Sequence, residues 1–205
     1  MLTGNIDMIG HMSCNPAIGG LGKGHLVREI DALGGIMGKM ADATGIKYRK
    51  LNKKKGLAVQ GTRCQSDMYV YKQKMKEYLE SLNDLHIKQA IVKSVLVENG
   101  KVIGVETLIG EKFFCQTLVI TTGTFMSGLC HVGLSNMPGG RMGDITAPDI
   151  SKSLASLGIE LGRLKTGTVP RIDKKTINYD GLEAQYGDEP RPRFSFSKID
   201  NPLNQ

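Results

Sequence analysis

Between Met12 and Leu26 the chain reads Met-Ser-Cys-Asn-Pro-Ala-Ile-Gly-Gly-Leu-Gly-Lys-Gly-His-Leu, which sets four glycines and a cysteine ahead of an amphipathic run. Glycine tolerates positive φ and has no Cβ, so such a segment bends sharply and lets other groups approach its backbone. Leu26, Val27, Ile30 and Leu33 then recur at helical spacing and stop at Gly34-Gly35, a glycine C-cap. A glycine loop opening onto a helix start predicts a cradle for an anion, because first-turn N–H groups lack intrahelical partners and carry partial positive charge. The spacing matches neither the Walker pattern nor the dinucleotide fingerprint, so a plain structural turn is the competing reading.

Downstream, the basic stretch from Lys47 to Lys55 shows no strong periodicity and reads as a solvated loop able to meet phosphates. Ser66 is placed to cap a second helix and Asp67 suits its first turn, with Met68, Tyr71, Met75, Tyr78, Leu79 and Leu82 forming its buried stripe. From His86 onward the period changes. Segments 87–92, 95–98, 101–108 and 112–116 predict short strands, and Asn99-Gly100 marks a hairpin. The run Leu118-Val119-Ile120-Thr121-Thr122-Gly123 predicts a strand buried on both faces, whose carboxyl end would bring Thr122, Gly123 and Thr124 to a ligand. After Phe125 glycine, proline and turn residues increase, with a short helix carrying Ile150, Leu154 and Leu157. Arg163, Lys165 and Arg171 stand in a glycine- and threonine-rich stretch that offers cations and backbone donors to a phosphate or carboxylate, with an ordinary polar loop as the alternative.

Charge and cysteine usage narrow the classes. The balance of 27 Lys+Arg against 20 Asp+Glu, a formal +7, suits a polyanionic partner without demanding one. Cysteines 14, 64, 115 and 130 form no CxxC pair and no zinc spacing, so neither a metal site nor a disulfide framework is indicated, and a reducing cytoplasm is the expected compartment. No apolar run reaches membrane-spanning length, and no signal peptide is visible.

The wording of the glycine loop resembles the MnmG/GidA family, flavoproteins that modify the wobble uridine of certain tRNAs. The resemblance runs in order through Asn5-Ile6-Asp7, the stretch Val27 to Gly35, Gly61-Thr62-Arg63-Cys64-Gln65-Ser66-Asp67, Thr122-Gly123-Thr124-Phe125, the stretch Gly139 to Asp144, the stretch Gly162 to Ile172, and Phe194-Ser195-Phe196. It implies an α/β fold: a partial Rossmann-like FAD-binding domain with a small antiparallel β-meander over residues 1–125, then over 126–205 the start of an inserted α+β domain on the substrate and nicotinamide side. Family sequences are considerably longer and open with a strand, a G-x-G-x-x-G turn and a helix. The resemblance therefore implies an internal fragment, unstable and inactive by itself.

It also implies FAD as cofactor, NADH as reductant, a folate-borne one-carbon unit, tRNA as substrate, a GTP-hydrolysing MnmE-like partner and a homodimer. Carried over residue by residue, Cys14, Asn15, Pro16, Gly19, Gly20, Val92, Thr122, Gly123 and Thr124 are the cofactor contacts. Cys14 is also the candidate catalytic group, although most free cysteines are inert small hydrophobes. Lys23, Arg141, Arg163, Lys165 and Arg171 are the candidate substrate and RNA contacts. Ala147 departs from a hydroxyl residue in close relatives, which leaves one cofactor hydrogen bond in doubt, and His25 is read as structural. Two other readings stay open: a segment of the related folate-dependent flavoprotein that methylates tRNA uridine, and a non-catalytic remnant that binds RNA or a partner.

Overall fold

Asp67, not Ser66, opens the longest helix: its carboxylate accepts from the N–H groups of Tyr69 and Val70 at 2.9 and 3.1 Å, satisfying two donors the first turn leaves over. Ser66 instead ends the preceding strand, buried. A computed structural model of the chain describes residues 1–199. In chain order its elements are β1 (Leu2–Thr3), β2 (Ala17–Gly19), α1 (Lys23–Ala32), α2 (Met37–Thr44), β3 (Gly45–Leu51), β4 (Gly61–Ser66), α3 (Met68–Glu80), β5 (Lys88–Gln89), β6 (Val92–Glu98), β7 (Lys101–Thr107), β8 (Lys112–Phe114), β9 (Leu129–Val132), β10 (Ser135–Pro138) and α4 (Pro148–Ser156). The chain divides into two units: one joins Met1–Ile6 to Asp84–Thr166, the other joins Asp7–Asn83 to the segment from Gly167 onward.

In the second of these, β2, β4 and β3 form an antiparallel sheet in that order. Alternation places Tyr48 of β3 and Cys64 of β4, register partners, on the buried face, where Val27 of α1, Ala41 of α2 and Phe194 join them. The Tyr48 hydroxyl donates to the carbonyls of Ala41 and Asp42 at 2.9 and 3.0 Å, so this buried phenol is satisfied by the end of α2. Met12, Tyr71 and Met75 form a second cluster, with Met68 and Leu79 packed on it, which bears out most of the expected α3 stripe. The basic stretch is not the loop its composition suggests. Residues 45–51 are β3, and only 52–55 turn, with Asn52 at φ 58°. A strand with one buried aromatic and exposed cations between has too little apolar alternation to be seen in sequence; its ladder to β4 supplies the stability.

In the other unit β6, β7 and β8 form the expected antiparallel meander, and Asn99 and Gly100 take φ 49° and 74° at its first turn. Helix α4 lies on β6, burying Ile150 and Leu154, while the Ser153 hydroxyl accepts from the Val95 N–H at 2.9 Å. Leu118 to Gly123 forms no strand among the described residues: Val119 is 83% exposed, and no ladder receives its backbone. The apolar run needs parallel neighbours on both sides, and none is seated there. The hairpin β9–β10, all but one of its residues exposed, lies in the stretch that composition marks only as turn-rich.

Candidate functional site

The glycine loop divides its glycines between two jobs. A Cβ on Gly19 would sit 2.4 Å from the Thr62 carbonyl oxygen and 2.6 Å from the Phe194 ring, at a φ of +80°. One on Gly24 would meet the same oxygen at 2.6 Å. These two are glycine because β4 and Phe194 pack against them. Gly20 and Gly22, at φ +105° and +68°, bend the chain with open space beside them. The Gly20 N–H donates to the Thr62 carbonyl at 2.8 Å, pinning the bend to β4.

The helix start is not the set of free donors that the sequence suggests. Lys23, Gly24 and His25 donate their N–H groups to the carbonyls of Leu21, Gly20 and Gly22 at 2.8, 2.7 and 3.1 Å. The loop thus caps α1 with its own backbone, leaving little for a phosphate there. Lys23 stands exposed at the first position of α1.

Upstream, Asn15 is exposed, while Cys14 and Pro16 are half-buried. The Thr168 hydroxyl donates to the Cys14 sulfur at 3.5 Å, and the Arg171 guanidinium donates to the Cys14 carbonyl. Arg171, expected at the substrate, is therefore brought onto the cysteine loop from 157 residues away. Cys64 is the opposite kind of cysteine: fully buried, its thiol is pushed up to about 11 by burial and stays protonated at neutral pH.

A strap from residue 185 to 197 locks this unit. Phe194 is fully buried, and the Asp42 carboxylate accepts from the Phe194 N–H at 3.0 and 3.1 Å and from the Ser195 N–H at 2.8 Å. Asp31 accepts from the Phe196 N–H at 2.9 Å, and the Arg28 guanidinium lies 4.8 Å from the Phe196 ring centre. Burial raises the Asp42 carboxyl above its ordinary value against the opposing pull of those two N–H groups and of Arg193. At the near end of the strap Asp188 accepts from the Lys50 N–H at 2.6 Å and pairs with Lys53 at 2.7 Å.

The remaining expected site residues lie in the other unit and are described there alone. Val92 opens β6 opposite Thr107. Thr122 and Gly123 lie in a turn, Gly123 at φ 58°, and the Thr124 hydroxyl donates to the Gly140 carbonyl at 2.5 Å. Arg141 is held by Asp144 in a half-buried ion pair, Arg163 donates twice to the Ser127 carbonyl at 3.3 Å, and Lys165 is exposed. Ala147 donates its N–H to the Phe125 carbonyl at 2.8 Å, a backbone contact that needs no hydroxyl. No cluster of potential metal ligands occurs among the described residues.

Sequence reasoning missed Thr168, Asp31 and Asp42. Asp31 carried a signal, since it stands four residues after Val27 on the buried face of α1, where a carboxylate must find donors. Asp42 sits between Ala41 and Ala43 in the buried end of α2.

The family profile described as Glucose inhibited division protein A matches residues 1–205, the whole chain. The chain belongs to the GidA family. It is 55% identical over 204 residues to the tRNA uridine 5-carboxymethylaminomethyl modification enzyme MnmG of Geobacter sulfurreducens, covering 98% of this chain and 32% of that protein. The MnmG of Geotalea uraniireducens is 55% identical over 197 residues, 96% of this chain and 32% of the relative. Among solved structures, Aquifex aeolicus GidA in its form I crystal superposes with a TM-score of 0.92 at 46% identity, over 97% of this chain and 33% of that one, and the form II crystal gives 0.91. The GidA chain described here thus has the mixed α/β, partial Rossmann-like fold that the sequence implied, and spans about a third of the length of the relatives it matches.

Proposed function

We propose that this chain is the part of a tRNA uridine 5-carboxymethylaminomethyl modification enzyme that carries the cysteine loop and its clasp. The observation behind this reading is 55% identity sustained over 98% of the chain with a protein of that name. The substrate is then tRNA, the compartment the cytoplasm, and the intact enzyme works as a homodimer with a GTP-hydrolysing partner. No helix among the described residues is long and apolar enough to cross a membrane.

FAD is the cofactor this reading requires, with NADH as reductant, and the loop fits such a ligand in one respect: open space lies where a Gly20 Cβ would project. When bound, the flavin supplies the electron transfer and the protein supplies orientation and charge. Asn15, Pro16 and Gly20 would help to hold the group. Cys14, held by Thr168 and Arg171, presents its thiol for proton transfer. Val92 and Thr122 to Thr124 supply further cofactor contacts from their own unit, and Lys23, Arg141, Arg163 and Lys165 meet the RNA. Residues 1–125 make up the cofactor side, and 126–205 begin the inserted substrate domain.

The test is a chimera in which residues 1–205 replace the matching segment of the Geobacter sulfurreducens enzyme in cells lacking their own. Nucleoside mass spectrometry of bulk tRNA should find carboxymethylaminomethyl uridine restored, and Cys14→Ser should deplete it. Unmodified uridine in cells whose chimera accumulates normally and retains flavin would overturn the reading.

A further inference from the structure

The outer face of the β2–β4–β3 sheet carries a charge pattern that the fold does not need. Arg49 and Arg63 are direct register partners on β3 and β4, both exposed, and Lys47 stands two residues from Arg49 on the same face, opposite Gln65. Like charges directly opposite in a sheet are destabilising. The compensation is partial: Arg49 donates to the neutral Gln185 amide at 3.1 Å and is attracted by the Asp188 carboxylate, which is itself paired with Lys53 and the Lys50 N–H. No ion pair among the described residues involves Lys47 or Arg63. On the third strand, Arg63 is opposite Gly19 and Gln65 is opposite Ala17, so no long side chain shields the two from solvent.

We propose that this sheet face, centred on Lys47, Arg49 and Arg63, binds the phosphate backbone of the RNA on which the enzyme acts. The proposal rests on the reading above for the identity of the polyanion. The cations are about 6.7 Å apart along a strand and about 4.8 Å across strands, a spacing at which one sugar–phosphate strand can meet several at once. The face also leads to the site. Its Lys47, Gln65 and Ala17 end continues through Pro16 and Asn15 into the Cys14 loop, so a strand tracked along it is delivered toward the thiol. Backbone contacts of this kind position RNA without reading its sequence.

The experiment measures binding of a fluorescent tRNA transcript to the 205-residue chain by anisotropy over a salt series, for wild type, the Lys47→Gln/Arg49→Gln/Arg63→Gln variant, and a Lys174→Gln/Lys175→Gln control. Each lost phosphate contact should flatten the plot of log K against log salt by about 0.7 to 0.9. The triple variant should therefore lose about 2.1 to 2.7 units of slope and bind at least about tenfold more weakly at low salt. The control should keep the wild-type slope. Thermal melting separates this from a structural role, because removing mutual repulsion leaves the triple variant's Tm equal or higher, whereas loss of a structural contact lowers it. A slope unchanged from wild type, a slope shared with the control, or competition by polyglutamate as strong as by RNA overturns the proposal. So does a wild-type chain that does not bind tRNA. The chimera's uridine modification is scored separately, so it can succeed when this face fails.

Discussion

Phe194 and the short apolar run Leu118 to Ile120 meet opposite fates, although Phe196, two residues on from Phe194, stays 67% exposed. Phe194 is completely buried, yet Val119 is 83% exposed and Ile120 37%. Hydrophobicity does not separate them, since Leu118-Val119-Ile120 is the more apolar. The difference lies in the backbone. The N–H groups of Phe194, Ser195 and Phe196 are each received by a carboxylate, Asp42 or Asp31, so the strap can enter the core without leaving donors unpaired. Residues 118–120 have no ladder among the described residues, and burying their amides without one costs more than their side chains return. A run becomes core only where its main chain also has somewhere to bond.

Phe194→Ala tests that contrast hardest. The cavity it leaves among Val27, Ala41, Tyr48 and Cys64 should cost about 3–5 kcal/mol in denaturant unfolding. Val119→Ser, at an exposed position, should change stability by less than about 0.5 kcal/mol. Equal effects would mean that the two runs are not buried as described.

Gly19→Ala comes next, because it adds a 2.4 Å clash with the Thr62 carbonyl to an unfavourable φ. Overpacking and left-handed strain together predict a loss of about 3 kcal/mol. Gly20→Ala meets no atom within 4 Å and should cost only the conformational strain, about 1–2 kcal/mol. The pair also sharpens the ligand question. In flavin titrations a Gly20→Ala chain that melts near wild type yet binds more weakly would place the ligand at the open space, while unchanged binding would remove Gly20 from the cradle.

What the sequence made legible follows the same division. Periodicity exposed α3, α4 and the β6–β8 meander because each buries a side-chain stripe or turns at a pair of residues that accept positive φ, as Asn99-Gly100 does. It also located α1 but misjudged its face: of the expected stripe only Val27 is buried, Leu26, Ile30 and Leu33 being 58%, 41% and 90% exposed, and the helix buries Gly24 and Asp31 instead. It hid β3, whose single buried side chain, Tyr48, gives no alternation to count. It overstated Leu118 to Gly123, since composition shows apolarity but not whether parallel neighbours are present. At the site, the loop was visible as glycines, yet glycine content does not distinguish Gly19, required by a neighbouring carbonyl, from Gly20, which faces open space. Nor does it reveal that the α1 donors are already occupied by Gly20, Leu21 and Gly22. The clasp of Thr168 and Arg171 on Cys14 spans more than 150 residues, beyond any local pattern.

The smallest expected effect concerns two of the carboxylates at the strap, Asp42 and Asp188, which should respond to acid in opposite directions. Burial raises the Asp42 carboxyl above the ordinary 3.8, so the folded chain takes up a proton there before the unfolded chain does. Its contribution to stability is full below 3.8 and is lost as pH rises through the raised value. Asp188 is also penalised by burial, but the Lys50 N–H and Lys53 outweigh that and hold its carboxyl below 3.8. Its contribution is present above 3.8 and is lost as pH falls through the lowered value. Denaturant unfolding across the acid range should therefore show the gap between wild type and Asp42→Asn widening as pH drops toward 3.8. The gap to Asp188→Asn should narrow as pH drops below 3.8. Parallel slopes for the two variants would show that Asp42 is solvated like Asp188, and that the strap is held by the Phe194 side chain rather than by its backbone.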